Sequence, residues 1–263
     1  MMKETLGIKI IDENGMVRKE QRGENQLTLI YPEKYAENDQ IIIESSQVPA
    51  ALRVSLDDTI PPAYIWLTKP AMTYTIPFGE PGEAYPREAF GGSMHFIRVE
   101  QVPEEIWNTC RNISENSLDQ KGEVSCYPHC TATVETRDES VFAARNTIDG
   151  RFENTDHGKW PYTSWGDNED PDAQIQIDFG RTVEAERVEI VLRADFPHDN
   201  YWQEATLEFS DGSTLLLELR KTGEKQAFAF PPKKTEWVRL THLIKSQEPS
   251  PFPALSQWCV FGR

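Results

Sequence analysis

Aromatic and polar side chains are concentrated in two segments of the C-terminal half of the chain. Residues 156–172 carry an Asp-His pair, two tryptophans, a tyrosine and the acidic run DNEDPD, and residues 193–202 read RADFPHDNYW. A pyranose ring has an apolar C–H face that stacks on aromatic rings, and its hydroxyls pair with Asp, Asn, Arg and neutral His. These residue types predict a carbohydrate-binding site, with the candidate residues His157, Trp160, Trp165, Arg193, Asp195, His198, Tyr201 and Trp202.

Each of these candidates also has a structural interpretation. A tryptophan in an end loop of a β-sandwich closes the core as often as it stacks on a ligand, so both roles stay open for each indole. Arg193 would equally form an ion pair with Asp195 or Asp199, and His198 would equally cap a turn. The acidic run is typical of a solvated loop, with calcium binding as the second interpretation.

Motifs of catalysis or nucleotide binding are absent. The chain has no GxSxG, HExxH, P-loop or GxGxxG pattern, so no catalytic residue is predicted and a binding protein is favoured over an enzyme. The segment CYPHC supplies Cys126, His129 and Cys130, but a zinc site needs about four ligands and no second pair follows. Buried, reduced thiols are the favoured interpretation of these cysteines.

The elements that would position the candidate residues are almost all β-strands. Short runs rich in Ile, Val, Tyr and Thr alternate with turn residues, which is typical of antiparallel sandwiches and jelly rolls. The sequence predicts an all-β protein with an N-terminal sandwich at 1–105, a linker with a short helix at 106–125 and a C-terminal sandwich at 126–263. The helix is expected within Val102–Cys110, and the N-terminal strands at Gly7–Ile11, Gln26–Tyr31, Gln40–Glu44, Ala51–Leu56, Ala63–Leu67, Met72–Ile76 and His95–Val99.

In the C-terminal half, the order of the predicted hairpins indicates which loops meet. Turns are expected at Gly180, Ser210–Ser213 and Pro231–Glu236. The start of one antiparallel strand lies beside the end of its partner, so the loops before and after the first hairpin fall at the same end. The loop that carries Phe252 falls there too. The strands are expected at Thr131–Val134, Ala173–Phe179, Arg187–Arg193, Ala205–Phe209, Thr214–Leu219, Gln226–Phe230, Trp237–Leu240 and Gln257–Phe261.

The composition restricts the class of partner. The 263 residues have a formal net charge of −16 and 38% hydrophobic residues, which suits a globular protein. This charge repels nucleic acid and anionic membranes, so the expected partner is a glycan or another small neutral molecule. No secretory h-region and no apolar run of about 20 residues is present, and a cytoplasmic location is therefore expected.

Residues from about Arg111 to Arg263 resemble a discoidin-type domain (factor V/VIII C-type), the fold of the family 32 carbohydrate-binding modules. The segment Ala144–Gly150 follows the family signature Ala-x-x-Ala-x-Asp-Gly, with Thr147 replacing the second alanine. Further elements match in order at Trp165, Ile177–Gly180 and Gln257–Gly262. The resemblance implies an eight-stranded, galactose-binding-domain-like sandwich that binds glycans through loops at one end.

The same resemblance implies a structural calcium ion beside the Asp-Gly turn. Asp149 would be a side-chain ligand, and a glutamate from the closing strand would complete the site. In this chain Ser256-Gln257 stands where that acid is expected. Gln257 would supply only a neutral carbonyl oxygen, which makes a weaker site.

Two other functions remain compatible with the sequence. One is a carbohydrate-active enzyme, a hydrolase or lyase, with its site between the two domains and a buried carboxylate pair in a deep cleft. The other is a protein-interaction scaffold with a broad apolar patch on its surface.

Overall fold

The computed structural model describes residues 5–194 and 199–263, and most of their regular structure is β-strand, as predicted. None of the helices in these two ranges is long and apolar enough to cross a membrane. The N-terminal elements are β1 (Thr5–Ile11), β2 (Val17–Glu24), β3 (Gln26–Tyr31), β4 (Gln40–Ser45), β5 (Ala50–Ser55), β6 (Ala63–Leu67), β7 (Ala71–Thr75), a 3₁₀ turn at Pro81–Ala84, β8 (His95–Gln101) and the helix α1 (Glu104–Trp107).

The N-terminal strands form a sandwich of two antiparallel sheets. One sheet has the order β2-β1-β4-β7, and the other contains β6-β5-β8-β3. The chain crosses repeatedly between the two sheets, as in a jelly roll. Alternate residues point inward and form one apolar cluster, in which Ile8, Ile43, Leu52 and Ile65 are fully buried. The period-2 pattern of the sequence is the cause of this arrangement.

Strand β2 was not predicted from the sequence. It reads VRKEQRGE, lies at the edge of its sheet and has mostly exposed side chains. A strand with no apolar face gives no alternation signal, and charged residues on an edge strand prevent pairing with other chains.

The second half of the chain is also built from strands. Short strands and 3₁₀ turns come before its two longest strands. The described elements are β9 (Arg111–Asn112), β10 (Cys126–Tyr127), β11 (His129–Ala132), 3₁₀ turns at Thr136–Asp138, Ser140–Phe142 and Ala144–Ile148, β12 (Trp165–Gly166), β13 (Ile175–Leu192), β14 (Trp202–Phe209), β15 (Thr214–Glu218), β16 (Gln226–Lys245) and β17 (Ala254–Gly262).

Two long bent strands organise the C-terminal sandwich. The hairpin turns predicted at Gly180 and Pro231–Glu236 were wrong, because β13 and β16 continue through them. The two strands pair on both sides of a register break between Asp178 and Val183. Before the break β13 also pairs with β11, and after it with β17. The sheet therefore folds over on itself around one apolar cluster, and its two layers share these strands.

The bend in β13 requires a glycine. Gly180 has φ +63°, and a Cβ atom there would lie 2.5 Å from the ring of Tyr127. Both the left-handed backbone and the close approach of the ring exclude a larger residue.

The segment between the sandwiches packs against both of them. Strand β10 pairs with β6, and Leu118 and Cys126 belong to the N-terminal apolar cluster. Trp107 of α1 stacks on Trp66 of β6 with ring centroids 5.7 Å apart. The guanidinium of Arg181 lies 5.1 Å from the ring centroid of Trp107. Aromatic and cation–π contacts thus join the two halves.

Candidate functional site

The loops at the two ends of β13 meet at one end of the C-terminal sandwich. The Oγ of Ser164, before β13, accepts a hydrogen bond of 3.4 Å from Nη1 of Arg193, directly after it. Asn200 and Pro253 form an isolated bridge that brings the loop before β17 to the same end. Leu255 of β17 pairs with both Trp165 and Leu192, which places the two loops side by side.

These loops enclose an open cavity of about 320 Å³, which we call the end cavity. Its volume lies within the range of roughly 300–1,000 Å³ that is common for small-molecule sites. Phe252 lies at its rim with 46% of the residue exposed, an unusual exposure for a phenylalanine. The side chains that contribute chemistry to the wall are Phe142, His157, Asn168, Glu169, Arg193 and Phe252.

Arg193 is a fixed cationic donor in the wall of the end cavity. The residue is 4% exposed, and its Nε donates to Oδ1 of Asp199 at 3.1 Å. Burial lowers the pKa of Arg193, and the charge of Asp199 opposes this effect. Its ion pair and its hydrogen bond to Ser164 hold the guanidinium in position before any ligand arrives.

The acidic loop presents two acceptors to the end cavity. Asp167 anchors the loop, because its Oδ1 accepts the N–H of Glu169 at 3.0 Å and its Oδ2 accepts the indole N–H of Trp202 at 3.2 Å. Burial raises the pKa of Asp167, and these hydrogen bonds oppose the rise. Asn168 and Glu169 both have left-handed φ values, +50° and +61°, and are exposed. Oδ1 of Asn168 accepts the backbone N–H of Arg137 at 3.3 Å and keeps a second lone pair, so this oxygen and the exposed carboxylate of Glu169 are the acceptors that the turn offers to ligand hydroxyls.

Trp165 and Trp202 lie in the core beneath the end cavity. They are 0% and 2% exposed and stack on each other with ring centroids 5.8 Å apart. The indole N–H of Trp165 donates to the carbonyl of Val134 at 2.9 Å. The sequence left open whether these indoles close the core or stack on a ligand. Since neither ring has a face toward solvent, both close the core.

The other predicted residues are distributed around this end. His157 is exposed and lines the end cavity, with its backbone N–H donating to Asp156 at 2.8 Å. Tyr201 is partly buried and packs against the C-terminal apolar cluster. Asp195 and His198 fall outside the described residues.

Trp160 faces the N-terminal sandwich instead. Its backbone N–H donates to the carbonyl of Glu83 at 2.9 Å, and the guanidinium of Arg151 lies 5.3 Å above its ring. The indole is partly buried in a small cleft that also contains Tyr85. Its contacts therefore join the two halves of the chain and do not reach the end cavity.

Arg137 and Phe142 line the end cavity but were not predicted from the sequence. Arg137 lies 5.2 Å above the ring of Phe142 and forms an ion pair of 2.6 Å with Glu139. Both come from short 3₁₀ turns, which have neither the helical nor the strand period. No pattern in the sequence marks them as neighbours of Arg193.

The surroundings of Asp149 do not fit a calcium ion. Its Oδ1 accepts a hydrogen bond from the side-chain amide of Gln257 at 2.8 Å and another from the backbone N–H of Arg151 at 2.9 Å. Calcium needs six to eight oxygen ligands, and here N–H donors point at the carboxylate oxygen. Among the described residues no group of three or more His, Cys, Asp or Glu side chains is arranged to hold a metal.

The CYPHC segment forms a buried polar junction. Nδ1 of His129 lies 2.6 Å from Oδ1 of Asp119, whose Oδ2 accepts the N–H of Cys130 at 2.8 Å. Burial lowers the pKa of His129, but the hydrogen bond and negative charge of Asp119 outweigh it and raise the pKa above its ordinary value. Cys126 and Cys130 are buried free thiols, and burial raises the pKa of each.

A larger cavity, of about 650 Å³, lies between the two sandwiches. We call it the interdomain cavity. Glu80 accepts the backbone N–H of Ser140 at 2.7 Å, and Glu135 pairs with Lys121 at 2.9 Å and accepts a second backbone N–H. Phe78, 37% exposed, lies in the wall. Both carboxylates hold loops in place, which is a structural role.

Comparison with protein-family models and with curated proteins gives no match. Solved structures similar to this chain include the family 32 carbohydrate-binding module of C. perfringens NanJ in complex with galactose, at 18% identity, TM-score 0.39, and coverage of 50% of this chain and 91% of that one. Chitosan-binding module 1 of a Paenibacillus sp. IK-5 chitosanase/glucanase is 19% identical, with TM-score 0.39 and coverage of 58% and 99%. A Streptococcus pneumoniae fucose binding module is 15% identical, with TM-score 0.39 and coverage of 58% and 98%.

A family 32 carbohydrate-binding module is among these structures. Such identities and TM-scores say nothing about which ligand this chain binds.

Proposed function

We propose that this protein binds a neutral carbohydrate in the end cavity. The exposed ring of Phe252 would stack on the apolar face of a sugar, and Arg193 would donate to its hydroxyls. Asn168 and Glu169 would accept hydrogen bonds from other hydroxyls of the same ring. The observation that carries the proposal is the presence of an exposed aromatic ring, a pre-positioned guanidinium and exposed acceptors in one cavity of about 320 Å³.

The electrostatics of the end cavity favour an uncharged ligand. Arg193 already has a buried counter-ion in Asp199, at 3.1 Å. Glu169 adds a negative charge at the exposed rim, and the whole chain has a net charge of −16. Arg137, the other arginine among the described lining residues, is paired with Glu139 at 2.6 Å. Both described guanidinium groups therefore already have a carboxylate partner, which disfavours an anionic ligand, whereas sugar hydroxyls need only directed donors and acceptors.

Binding without catalysis is the activity that we propose. An enzyme acting on glycosidic bonds would need two carboxyl groups facing one substrate. In the interdomain cavity Glu80 and Glu135 accept backbone N–H groups of 3₁₀ turns, so their oxygens stabilise the walls. Among the described residues that line the end cavity, the carboxylates are Asp167 and Glu169. Asp167 accepts the backbone N–H of Glu169 and the indole N–H of Trp202, so only Glu169 is left to face a ligand.

A glycan array on the purified chain would identify a ligand, and titration calorimetry of two phenylalanine variants would locate its site. Phe252→Ala should weaken binding by about tenfold to hundredfold, since one apolar face of the sugar loses its partner. Phe78→Ala is the matched control, because Phe78 is similarly exposed but lies in the interdomain cavity. It should leave the affinity unchanged.

The opposite result would refute the proposal. If Phe78→Ala abolished binding and Phe252→Ala did not, the sugar would occupy the interdomain cavity. If no glycan bound at all, the protein-interaction scaffold would become the better account. Arg193→Lys adds a third measurement, since it keeps the charge but loses the planar fork of donors. It should weaken binding while the salt dependence of the affinity stays small.

A further inference from the structure

Three oxygen atoms converge on the side-chain amide nitrogen of Gln257. Nε2 lies 2.6 Å from the carbonyl of Asn146, 2.8 Å from Oδ1 of Asp149 and 2.8 Å from the carbonyl of Ser256. All four residues are buried. An amide nitrogen carries two hydrogens. Nε2 of Gln257 therefore has three acceptor oxygens around it but only two N–H bonds to donate.

The orientation of this amide is determined by its other end. Oε1 of Gln257 accepts the backbone N–H of Gly150 at 3.1 Å. If the amide were reversed, its nitrogen would face the N–H donor of Gly150 and its oxygen would face the three oxygens. The hydrogen-bond pattern therefore assigns the N–H₂ group to the centre of the oxygen cluster.

The negative charge of the cluster is also already balanced. Asp149 is its single carboxylate, and it interacts electrostatically with the buried guanidinium of Arg145. Arg145 is held by hydrogen bonds to the carbonyls of Ser117 at 3.0 Å and Asp119 at 2.6 Å. A fixed side-chain cation near Asp149 removes the need for a divalent ion, which would also have to displace the Gln257 N–H₂ group.

We propose that the side-chain amide of Gln257 makes the contacts with the Asp149-Gly150 turn that a calcium ion would otherwise make. The turn is therefore joined to β17 without calcium. The amide bridges the turn to β17, which is the connection that a metal ion would otherwise make. It also follows that one carboxylate at position 257 would convert the same oxygen cluster into a calcium site. Two carboxylates and two backbone carbonyls are the ligand types that calcium prefers.

Thermal unfolding of the full chain, in chelator and in a calcium series, tests this inference. The unchanged chain should have the same Tm in both conditions. Gln257→Glu should have a lower Tm in chelator, because two carboxylates then face each other. Its Tm should rise by about 3 °C or more for each tenfold excess of calcium over its dissociation constant. Gln257→Leu is the matched control: it loses the amide, should have a lower Tm, and should not respond to calcium.

Two results would overturn the inference. The first is a calcium-dependent rise in the Tm of the unchanged chain that disappears in Asp149→Asn. The second is Gln257→Glu with no calcium response in Tm and no calcium bound in equilibrium dialysis. If Gln257→Glu is unfolded in chelator, circular dichroism during calcium addition gives the answer. Refolding supports the inference, and failure to refold contradicts it.

Discussion

Trp165→Ala should separate core residues from ligand platforms at the end cavity. Trp165 is fully buried, stacks on Trp202 and donates its indole N–H to Val134 at 2.9 Å. Truncating a buried tryptophan costs about 3–5 kcal/mol, and the carbonyl left without its donor places this site toward the upper end. Phe252→Ala removes an exposed ring and should change the free energy of unfolding by no more than about 0.5 kcal/mol.

Urea denaturation followed by fluorescence measures this difference directly. For Trp165→Ala we expect a lower midpoint with an unchanged m value, which would mean lost stability and an otherwise intact native state. Trp237→Ala is the matched control, because Trp237 is only partly buried and lies against Arg239 on the strand surface, with 4.6 Å between guanidinium and ring. It should cost clearly less. A Trp165→Ala variant within 1 kcal/mol of the parent, with sugar binding lost, would refute the assignment of this indole to the core.

Three further outcomes are expected. His129→Gln should flatten the dependence of the free energy of unfolding on pH. Because the pKa of His129 is raised in the folded state, its protonation stabilises the fold fully below about pH 6.5, and this stabilisation is lost as pH rises through the folded-state pKa. The same slope in the variant and the parent would contradict this prediction. Trp107→Ala should lower the free energy of unfolding by about 3–5 kcal/mol and weaken the contact between the two sandwiches. In calorimetry the variant should then show two unfolding transitions. A single transition at the Tm of the parent would contradict this prediction. Gly180→Ala should lower the free energy of unfolding by more than about 1 kcal/mol, because the new Cβ would collide with the ring of Tyr127. Gly212→Ala is the control: Gly212 has φ +79° but no atom within 4 Å of a Cβ, so this variant should lose only the energy of backbone strain. Equal losses in the two variants would contradict the predicted collision with Tyr127.

The N-terminal strands other than β2 were predictable because each has one buried face. Strand β3, Gln26–Tyr31, was predicted with its observed bounds, since Leu27, Leu29 and Tyr31 alternate with polar or exposed neighbours. Strand β2 has no such face and escaped the same criterion. The signal in the sequence therefore reports burial, and it detects a strand only where burial alternates.

The candidate site was predictable in composition but not in the role of each ring. Trp165 and Trp202 were indistinguishable from ligand platforms in the sequence, since burial of an end-loop indole depends on which loop covers it. The covering contacts come from residues distant in the chain, such as the carbonyl of Val134. Phe142 entered the cavity from a 3₁₀ turn that has no periodic pattern.

The sequence predicted that the loops before and after β13 meet, but it derived this from a hairpin at Gly180 that the structure does not contain. The sequence predicts a tight hairpin at Gly180, whereas the structure has one strand with a left-handed glycine and a register break at this point. The hydrogen bond between Ser164 and Arg193 shows that the loops before Ile175 and after Leu192 lie at the same end, as the hairpin would also have required. What differs is the pairing: in a hairpin the two halves of β13 would pair with each other, but here both pair with β16 on either side of a register break. The position of a site can thus follow from where the chain reverses, while the layer that supports it depends on strand partners that local sequence does not specify.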